Sequence, residues 1–363
     1  MVAADAEYMR LALQLAERGR GQTSPNPMVG ALVVSPDGVI VGTGYHERAG
    51  TPHAEVLALR AAGTRARGAT LYCSLEPCCH TGRTGPCTNV VIDAGIRRVV
   101  AAMADPNPLV AGRGFAQLRA HGIEVVCGIR EAEARRLNEV FVVNMRDRRP
   151  FVIVKIAMTL DGRIAAAAGQ RTAISGRASQ RHAQIVRAEV DAIGVGSGTV
   201  LVDDPRLTAR DVFRMRPLTR VLFDTRLRMP SSARVLATRD QGPIVVVTSP
   251  EAMEQQPDRA KSLRDAGADL IAVEGRDLKA ALGALLEQGV TSLLLEGGAV
   301  LHEAAWKAGV VDRVRVYVAP HVLGPDAMPW VPAPVCSLSE LRGIEARPLG
   351  EDVLIEGHVH RAD

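Results

Sequence analysis

The chain has 363 residues, which is long for one ordinary hydrophobic core and predicts two domains. Its composition, 47% hydrophobic and 23% charged, is typical of a globular protein, and 3% aromatic residues leave little for stacking single-stranded nucleic acid. The formal net charge of +4 is mild, so a small anionic substrate suits it as well as a polymer does.

The N-terminal segment is not expected to be a signal peptide, because charged residues such as Asp5, Arg10 and Glu17 interrupt any apolar core. No run approaches the roughly 18 apolar residues of a membrane span. We therefore expect a cytoplasmic protein with no membrane partner. In that compartment, clustered cysteines bind metal more often than they form disulfides.

The first half of the chain alternates helical and extended patterns. Helices are predicted up to Gly19 and over 53–63, 88–94 and 113–121, and a helix or turn is predicted to begin at Pro77. Strands are predicted at 29–34 and 39–42, as a hairpin around the turn at 35–38, and at 70–75, 98–103 and 124–127. This alternation predicts an α/β layer structure with a partly parallel sheet.

Metal-ligating side chains are concentrated in two stretches of this half. Residues 73–87 hold four of the six cysteines, at 73, 78, 79 and 87, and the triplet His53-Ala54-Glu55 precedes them. A structural zinc would use the four cysteines, whereas a catalytic zinc uses three ligands and a water. A third interpretation is buried cysteines without metal. Simultaneous ligation by the adjacent Cys78 and Cys79 would be strained.

The triplet favours the catalytic interpretation. Zinc deaminases of nucleobases combine one His and two Cys ligands with a Glu two residues after the His and a Pro-Cys pair downstream. We therefore predict zinc on His53, Cys78 and Cys87. Zinc lowers the pKa of its water so that hydroxide can attack an amidine-like carbon. Glu55 would carry the proton to the leaving amine.

The spacing of the two cysteine ligands departs from the usual C-x-x-C pattern. Eight residues separate Cys78 from Cys87, and they include His80 and Arg83. An insertion between two ligands lies at the mouth of a site, so these side chains are candidates to contact substrate. The alternative is a solvated loop.

The second half predicts another α/β domain. Arg146 to Pro150 is a short charged segment and the best linker candidate. Strands are predicted at 151–158, 192–195, 220–223, 244–248, 270–273, 292–295 and 313–318, and helices at 177–189, 257–266, 278–288 and 299–308.

Two glycine-rich segments each follow an apolar strand and open a helix. The glycines at 194, 196 and 198 do not form G-x-G-x-x-G, and Glu296-Gly297-Gly298 alone is a weak signal. Free N–H groups at such helix starts attract phosphate, but glycine after a strand is also a common tight turn. The residues alone leave both interpretations open.

The chain resembles, over essentially its whole length, the bacterial bifunctional riboflavin-biosynthesis enzymes. These combine diaminohydroxyphosphoribosylaminopyrimidine deaminase with 5-amino-6-(5-phosphoribosylamino)uracil reductase. The matching motifs in the first half are Asn26-Pro27-x-Val29-Gly30, Gly-Tyr-His46, His53-Ala-Glu55, the run from Leu75 to Cys87, and Asp105-Pro-Asn107-Pro. Those in the second half are Lys155 with Leu160-Asp161-Gly162-Arg163, Gly198-Thr199 through Arg210, and Glu296-Gly297-Gly298.

The resemblance implies a cytidine-deaminase-like three-layer domain over 1–147 and a dihydrofolate-reductase-like α/β domain over 148–363. For the deaminase it implies one Zn²⁺ on His53, Cys78 and Cys87, with Glu55 as proton shuttle. The implied substrate contacts of the deaminase are Asn26, His46, His80, Arg83, Asp105 and Asn107.

For the second domain the resemblance implies a reductase that uses NADPH. Lys155 is the implied proton-handling group, the alternative being an exposed strand lysine. The implied substrate contacts are Arg187, Leu207, Arg210 and Glu296, and the implied cofactor contacts are Met158, Thr199, Asp203, Thr225 and the segment Gly298, Ala299, Val300, Leu301, His302, Glu303 and Ala304.

One segment departs from the family pattern. Arg171 and Ala173 stand where the family has a Ser that meets substrate and a Trp that faces the cofactor. The loss of the aromatic contact would weaken NADPH binding, whereas Arg171 offers a phosphate contact instead.

The sequence therefore predicts a two-step enzyme that acts on a small phosphoribosyl pyrimidine and binds no nucleic acid. It would deaminate 2,5-diamino-6-(5-phosphoribosylamino)pyrimidin-4(3H)-one and then reduce the ribosyl group of the product with NADPH. The rival hypotheses are a deaminase with a degenerate, substrate-binding second domain, an RNA-binding protein and a structural zinc module. The sequence leaves open whether the chain forms a homo-oligomer.

Overall fold

The computed structural model describes residues 2–80, 85–330 and 340–359. The chain divides into two compact units, Met1–Arg148 and Arg149–Asp363, called here the first and the second unit. No helix in the described part of the chain is long and apolar enough to cross a membrane.

The first unit is built around a five-stranded sheet of order β2-β1-β3-β4-β5. Its strands are β1 Gly30–Val34, β2 Ile40–Tyr45, β3 Thr70–Cys73, β4 Arg98–Ala101 and β5 Glu124–Cys127. Its helices are α1 Val2–Glu17, α2 Ala54–Ala62, α3 Cys87–Asp93, α4 Arg113–Ala120, α5 Glu131–Leu137 and α6 Glu139–Asp147, with a 3-10 turn at Gly63–Ala66. Strand β1 is antiparallel to β2 and β3, while β3, β4 and β5 are parallel.

Two glycines show that α1 and α2 pack on opposite faces of this sheet. A Cβ atom on Gly30 would lie 2.1 Å from the Ala12 carbonyl of α1, and one on Gly44 would lie 2.4 Å from the Ala54 carbonyl of α2. Gly44 is paired with Ala31, whose side chain points away from the face of its neighbour Gly30. The result is three layers, with α2 held tightly on the sheet from its first residue.

The second unit contains a nine-stranded sheet of order β11-β10-β9-β8-β12-β6-β13-β16-β15 and a two-stranded sheet of β14 and β7. The strands are β6 Phe151–Thr159, β7 Arg163–Ala165, β8 Ala192–Gly196, β9 Thr219–Phe223, β10 Ile244–Thr248, β11 Asp269–Ala272, β12 Ser292–Leu295, β13 Arg313–Ala319, β14 Met328–Pro329, β15 Leu341–Leu349 and β16 Asp352–Val359. The helices are α7 Arg177–Glu189, α8 Ser197–Asp203, α9 Pro250–Gln255, α10 Pro257–Asp265, α11 Leu278–Glu287 and α12 Ala299–Lys307, with a 3-10 segment at Leu236–Gln241.

Seven neighbouring strands, from β11 to β13, are parallel, and β16 and β15 add antiparallel strands at one edge. Strand β12 lies between β8 and β6, so the segments that follow these three strands meet at one edge of the sheet. In open α/β sheets, ligands bind at the carboxyl ends of the strands where the strand order reverses.

Three local predictions differ from the structure. No helix or turn begins at Pro77; residues 76–79 lie in a loop, and the next described helix begins at Cys87. The Cys78 carbonyl and Sγ accept the N–H groups of Thr88 and Cys87, so Cys78 ends up opposite the start of α3. Strand β3 ends at Cys73 rather than at residue 75, and β4 ends at Ala101 rather than at residue 103.

The segment predicted as a linker is partly structured. Helix α6 continues to Asp147, and Arg149 is 6% exposed. The Arg149 guanidinium forms a bidentate ion pair with Asp312, with distances of 2.6 and 2.8 Å. Asp312 also accepts the N–H of Val152 at 2.8 Å, so the ion pair holds the start of β6.

Candidate active sites

The three predicted metal ligands meet at the ends of α2 and α3. The Nδ1 atom of His53 lies 3.2 Å from the Sγ of Cys87 and 3.5 Å from the Sγ of Cys78. The ligand atoms of the three residues all lie within 4.8 Å of one another. Typical Zn–N and Zn–S bonds at a tetrahedral angle would separate the N and S ligands by about 3.5 Å, so the group fits zinc.

The other two cysteines of the cluster are not part of this ligand group in the described part of the chain. Cys73 is fully buried in β3, where its Sγ contacts the Val100 carbonyl at 3.8 Å. Cys79 is half-buried beside the ligand loop. The geometry therefore favours three protein ligands, which leave a fourth position open, over a closed four-cysteine shell.

Glu55 is the buried acid beside the ligands. It lies in the first turn of α2, is 3% exposed, and its Oε2 atom has no hydrogen-bond partner among the described residues. Burial raises the pKa of the Glu55 carboxyl to about 7, against the opposing charge of His53. A buried carboxylate oxygen without a partner beside an open metal position is suited to handle a proton there.

Asn26 and His46 form the wall next to His53. The Nδ2 of Asn26 lies 3.0 Å from the Nε2 of His46, and the His46 ring meets the His53 ring edge-on at 5.3 Å between centroids. Burial lowers the pKa of His46, which is 2% exposed. The loop that carries Asn26 is held by Asn138, whose side chain accepts the N–H of Met28 and donates to its carbonyl.

Asp105 and Asn107 lie together in the loop after β4. The Asp105 carboxylate accepts the N–H of Asn107 at 2.8 Å, and the Asn107 side chain accepts the N–H of Leu109 at 3.0 Å. Burial raises the pKa of Asp105 to about 7. His80 is exposed at the end of a described segment, and Arg83 lies outside the described residues.

A second polar cluster, in the second unit, includes Arg187 of α7. Arg187 and Glu296 form a bidentate ion pair with distances of 2.8 and 2.7 Å, and Arg187 also donates to the Thr208 carbonyl, next to the predicted contact Leu207. Burial alone would raise the pKa of Glu296, but the charges of Arg187 and Lys155 lower it to about 2. Glu296 is therefore a buried carboxylate between two cations.

Lys155 is half-buried on β6, not an exposed strand lysine. Its Nζ lies 5.5 Å from the centroid of the Tyr317 ring, within the range of a cation–π contact. A hydrogen bond of 2.8 Å joins the Tyr317 hydroxyl to Nδ1 of His182 on α7. Tyr317 thus fixes one side of Lys155, and the charge of Glu296 attracts it from another.

The two glycine-rich loops meet at the carboxyl edge of the large sheet. Strands β8 and β12 are parallel neighbours, and a Cβ atom on Gly297 would lie 2.6 Å from the Oγ1 of Thr199. Thr225 follows β9 at the same edge, and its carbonyl accepts the Ser249 hydroxyl. The Oδ1 of Asp203 is buried and has no partner among the described residues.

The remaining predicted contacts of the second unit are distributed around this edge. Gly298 is the N-cap of α12; Ala299, Leu301 and His302 are buried, Val300 and Ala304 are exposed, and Glu303 pairs with Lys307. Met158 is half-buried near the end of β6, whereas Arg171, Ala173 and Arg210 are exposed. The charge of Arg171 opposes the rise that burial causes in the pKa of Asp203, so the two side chains are near each other.

Sequence reasoning did not find several side chains that shape these sites. Glu76 and Asn138 brace the loops of the first site, and Tyr317, His182 and Trp330 lie around the second. The Nε1 of Trp330 donates to Nδ1 of His302 at 3.1 Å. For Glu76 the sequence offers one weak signal, a charged residue after an apolar strand and directly before Pro-Cys, which does not identify its partners.

Comparison with known proteins gives consistent matches to both units. Residues 2–103 match the family described as the cytidine and deoxycytidylate deaminase zinc-binding region, and residues 150–355 match the RibD C-terminal domain. The riboflavin biosynthesis protein RibD of Aquifex aeolicus is 43% identical over 97% of each chain. That of Escherichia coli is 39% identical over 97% of this chain and 98% of the other.

Solved structures agree over the full length. Acinetobacter baumannii RibD is 36% identical and matches with a TM-score of 0.88 over 99% of this chain and 100% of that one. A diaminohydroxyphosphoribosylaminopyrimidine deaminase/5-amino-6-(5-phosphoribosylamino)uracil reductase of Thermotoga maritima is 32% identical and has a TM-score of 0.84 over 99% of each chain.

Proposed function

This chain belongs to the RibD family of bifunctional riboflavin-biosynthesis enzymes, and we propose which of its residues carry the deaminase and the reductase reactions. The predicted family, the two-part α/β fold and the double activity are confirmed. We assign deamination to residues 1–147 and reduction to residues 148–363. The substrate of the first step would be 2,5-diamino-6-(5-phosphoribosylamino)pyrimidin-4(3H)-one.

The deaminase proposal rests on the unpartnered Glu55 oxygen beside the ligand group. His53, Cys78 and Cys87 would hold one zinc ion, which when bound supplies a hydroxide nucleophile near neutral pH. Glu55 takes up the proton that the attacking water gives up and delivers it to the departing amine, which leaves as ammonia. Its position in the first turn of α2, two residues after the ligand His53, keeps the carboxylate next to the reacting atoms.

The substrate would be recognised by the loops that surround the metal-ligand group. Asn26 and His46 present amide and imidazole groups on the His53 side, and Asp105 and Asn107 lie in the loop next to Cys78. His80 would contact the substrate from the insertion between the cysteine ligands, and we extend the same proposal to Arg83 as a partner for the ribose phosphate.

The reductase proposal rests on the Lys155, Glu296 and Arg187 cluster. The residues at the carboxyl edge of the sheet would hold NADPH, which when bound would supply the hydride for reduction of the ring-opened ribose to a ribityl chain. Lys155 handles the proton at the reduced centre, and the Arg187–Glu296 pair orients the substrate together with Leu207 and Arg210. Arg171, near Asp203, would add a phosphate contact.

The cofactor would lie across the loops that follow β8, β9 and β12. Free N–H groups at the start of α12 and the unpartnered Oδ1 of Asp203 suit the phosphates and hydroxyls of a dinucleotide. We propose that Met158, Ala173, Thr199, Asp203, Thr225 and the segment 298–304 form this surface.

Two arginines beside Thr225 support NADPH over NADH. The Nη2 of Arg228 donates to the Ser197 hydroxyl at 2.7 Å, which places its guanidinium near the ends of β8 and β9. Arg226 is exposed directly after Thr225, and neither arginine pairs with a carboxylate in the described part of the chain. Unneutralised guanidinium groups there suit the 2′-phosphate that distinguishes NADPH. Arg228→Ala should raise KM for NADPH more than KM for NADH.

Metal removal separates the two activities and tests the proposal. Dialysis of the full chain against a chelator should abolish ammonia release, and added zinc should restore it. NADPH oxidation on supplied 5-amino-6-(5-phosphoribosylamino)uracil should continue throughout. Ammonia release by zinc-free protein would refute the deaminase assignment. No NADPH turnover at saturating cofactor would favour the alternative, a deaminase whose second domain only binds substrate.

A further inference from the structure

Glu76 is a buried carboxylate that joins the metal-ligand loop to the loop that holds Asp105 and Asn107. It follows β3, directly precedes Pro77-Cys78, and is 2% exposed. Its Oε2 accepts the N–H of Asp105 at 3.1 Å and that of Gly112 at 2.9 Å, and its Oε1 accepts the N–H of Phe115 at 3.2 Å. All three N–H donors lie in residues 105–115, a segment that begins with the predicted substrate contacts Asp105 and Asn107.

These contacts make Glu76 the N-terminal cap of α4. The helix begins at Arg113, and its own N-cap residue, Gly112, has no side chain to accept the free N–H groups of the first turn. Glu76 accepts two of them, and its negative charge lies at the positive end of the helix. The cap that most helices take from their own sequence is supplied here from the ligand loop.

The approach of α4 to that loop is close. A Cβ atom on Gly114 would lie 2.2 Å from the Pro77 carbonyl and 3.1 Å from the Oε1 of Glu76. The helix start therefore rests directly on the residue before Cys78. Movement of the ligand loop and movement of α4 are coupled through this contact.

The same carboxylate reaches the substrate loop itself. Its bond to the N–H of Asp105 fixes the backbone at that residue, and Asp105 in turn accepts the N–H of Asn107. The N–H of Glu76 also donates to the Met103 carbonyl at 3.0 Å, so main chain and side chain both join the two segments.

We propose that Glu76 is a positioning residue for deamination, which holds the Asp105–Asn107 loop in register with the metal-ligand loop. The inference rests on the proposed function, because it takes Asp105 and Asn107 as substrate contacts. Glu76 itself does not touch the reacting atoms. Its loss should therefore weaken substrate binding and leave metal binding and the chemical step in place.

Glu76→Gln in the full chain tests this role. Whichever way the amide is turned, an NH₂ group replaces an oxygen that faces N–H donors, so at least one charge-assisted bond is lost. We expect KM for deamination to rise by about tenfold, with kcat within about twofold of wild type and zinc content unchanged. Reduction of supplied 5-amino-6-(5-phosphoribosylamino)uracil by the same protein should not change, because Glu76 lies in the first unit. The unchanged zinc content is the control for folding of that unit.

Glu17→Gln is the matched control, because Glu17 is exposed on α1 and its ion pair with Arg20 is long at 3.5 Å. It should leave KM unchanged. A KM for Glu76→Gln within about twofold of wild type, or zinc loss that accounts for the whole effect, would overturn the proposal. Wild-type turnover is measured first, so failure of the deaminase assignment itself is seen separately.

Amide hydrogen exchange of the wild-type chain decides the question if Glu76→Gln does not fold. The amides of Asp105, Gly112 and Phe115 should exchange far more slowly than the amides of exposed surface loops, because each donates to the buried Glu76 carboxylate. Exchange of the three amides as fast as that of free surface loops would show that the carboxylate does not hold the segment.

Discussion

The ion pair between Arg187 and Glu296 gives a prediction that joins stability to the reductase site. Glu296→Gln would leave the Arg187 guanidinium buried without a counter-charge. Both oxygens of Glu296 are used by Arg187, at 2.8 and 2.7 Å, and Glu296 is 8% exposed. The amide can accept from only one of those N–H groups and presents a donor to the other.

Two independent estimates of the stability lost in Glu296→Gln have similar magnitudes. Breaking a buried ion pair by removing one partner costs about 3–5 kcal/mol. The pKa of Glu296, lowered from 4.5 to about 2 by Arg187 and Lys155 against the effect of burial, corresponds to roughly 3 kcal/mol. We therefore expect Glu296→Gln to lower the free energy of unfolding of the second unit by about 3 kcal/mol at pH 7.

The sign of the pH dependence follows from the direction of this shift. Because the folded-state pKa lies below the ordinary value, the carboxylate stabilises the fold fully above pH 4.5, and that contribution is lost as the pH falls toward about 2. The difference in stability between wild type and Glu296→Gln should therefore narrow below pH 4.5.

Tryptophan fluorescence gives an assay specific to this unit, since both tryptophans, Trp306 and Trp330, lie in it. A urea titration should show a midpoint lower by about 1 M or more with an unchanged slope. Glu251→Gln on the exposed surface of α9 is the control and should shift little. A loss of unfolding free energy below about 0.5 kcal/mol for Glu296→Gln would refute the stabilising role of the ion pair. A difference in stability between wild type and variant that persists unchanged to about pH 3 would refute it as well.

Three further predictions concern the first unit. Glu55→Gln should lower kcat for deamination by at least a hundredfold with zinc retained, as measured by ammonia release and metal content; intact turnover would contradict the proton-shuttle role. Asn138→Ala should raise KM for deamination and destabilise the unit by about 2 kcal/mol, because the backbone groups of Met28 lose their partners; an unchanged KM would count against the bracing role. The hydrogen bonds from Arg98 hold the pKa of Asp5 below its ordinary value. Asp5→Asn should therefore destabilise the unit at pH 7 and progressively less below pH 3.8, as followed by circular dichroism. A difference in stability between wild type and variant that widens in acid would contradict the ion pair.

Much of the secondary structure follows from local patterns. Helix α7 and strands β10 and β12 have the predicted bounds, because each is a periodic or largely apolar run. Strands β15 and β16 were not predicted. Nearly all of β15 is exposed, so its sequence lacks the alternation that marks a strand with one buried face.

The metal-ligand group could be predicted because zinc chemistry restricts both residue types and spacing. The positioning side chains could not, because their contacts join residues far apart in the chain. Glu76 bonds to amides 29 to 39 positions away, and Asn138 bonds to Met28 110 positions away. A carboxylate that accepts only backbone N–H groups requires no particular side chain in its partners, so no motif records the pairing.

The proposed function requires that one chain deaminates and then reduces the same molecule. The most direct measurement follows ammonia and NADPH together after purified zinc-loaded protein is mixed with 2,5-diamino-6-(5-phosphoribosylamino)pyrimidin-4(3H)-one. We predict that ammonia appears first and that NADPH is then oxidised in equal amount, with a ribityl product. NADPH oxidation without prior ammonia release, or ammonia release with no NADPH oxidation, would contradict the account.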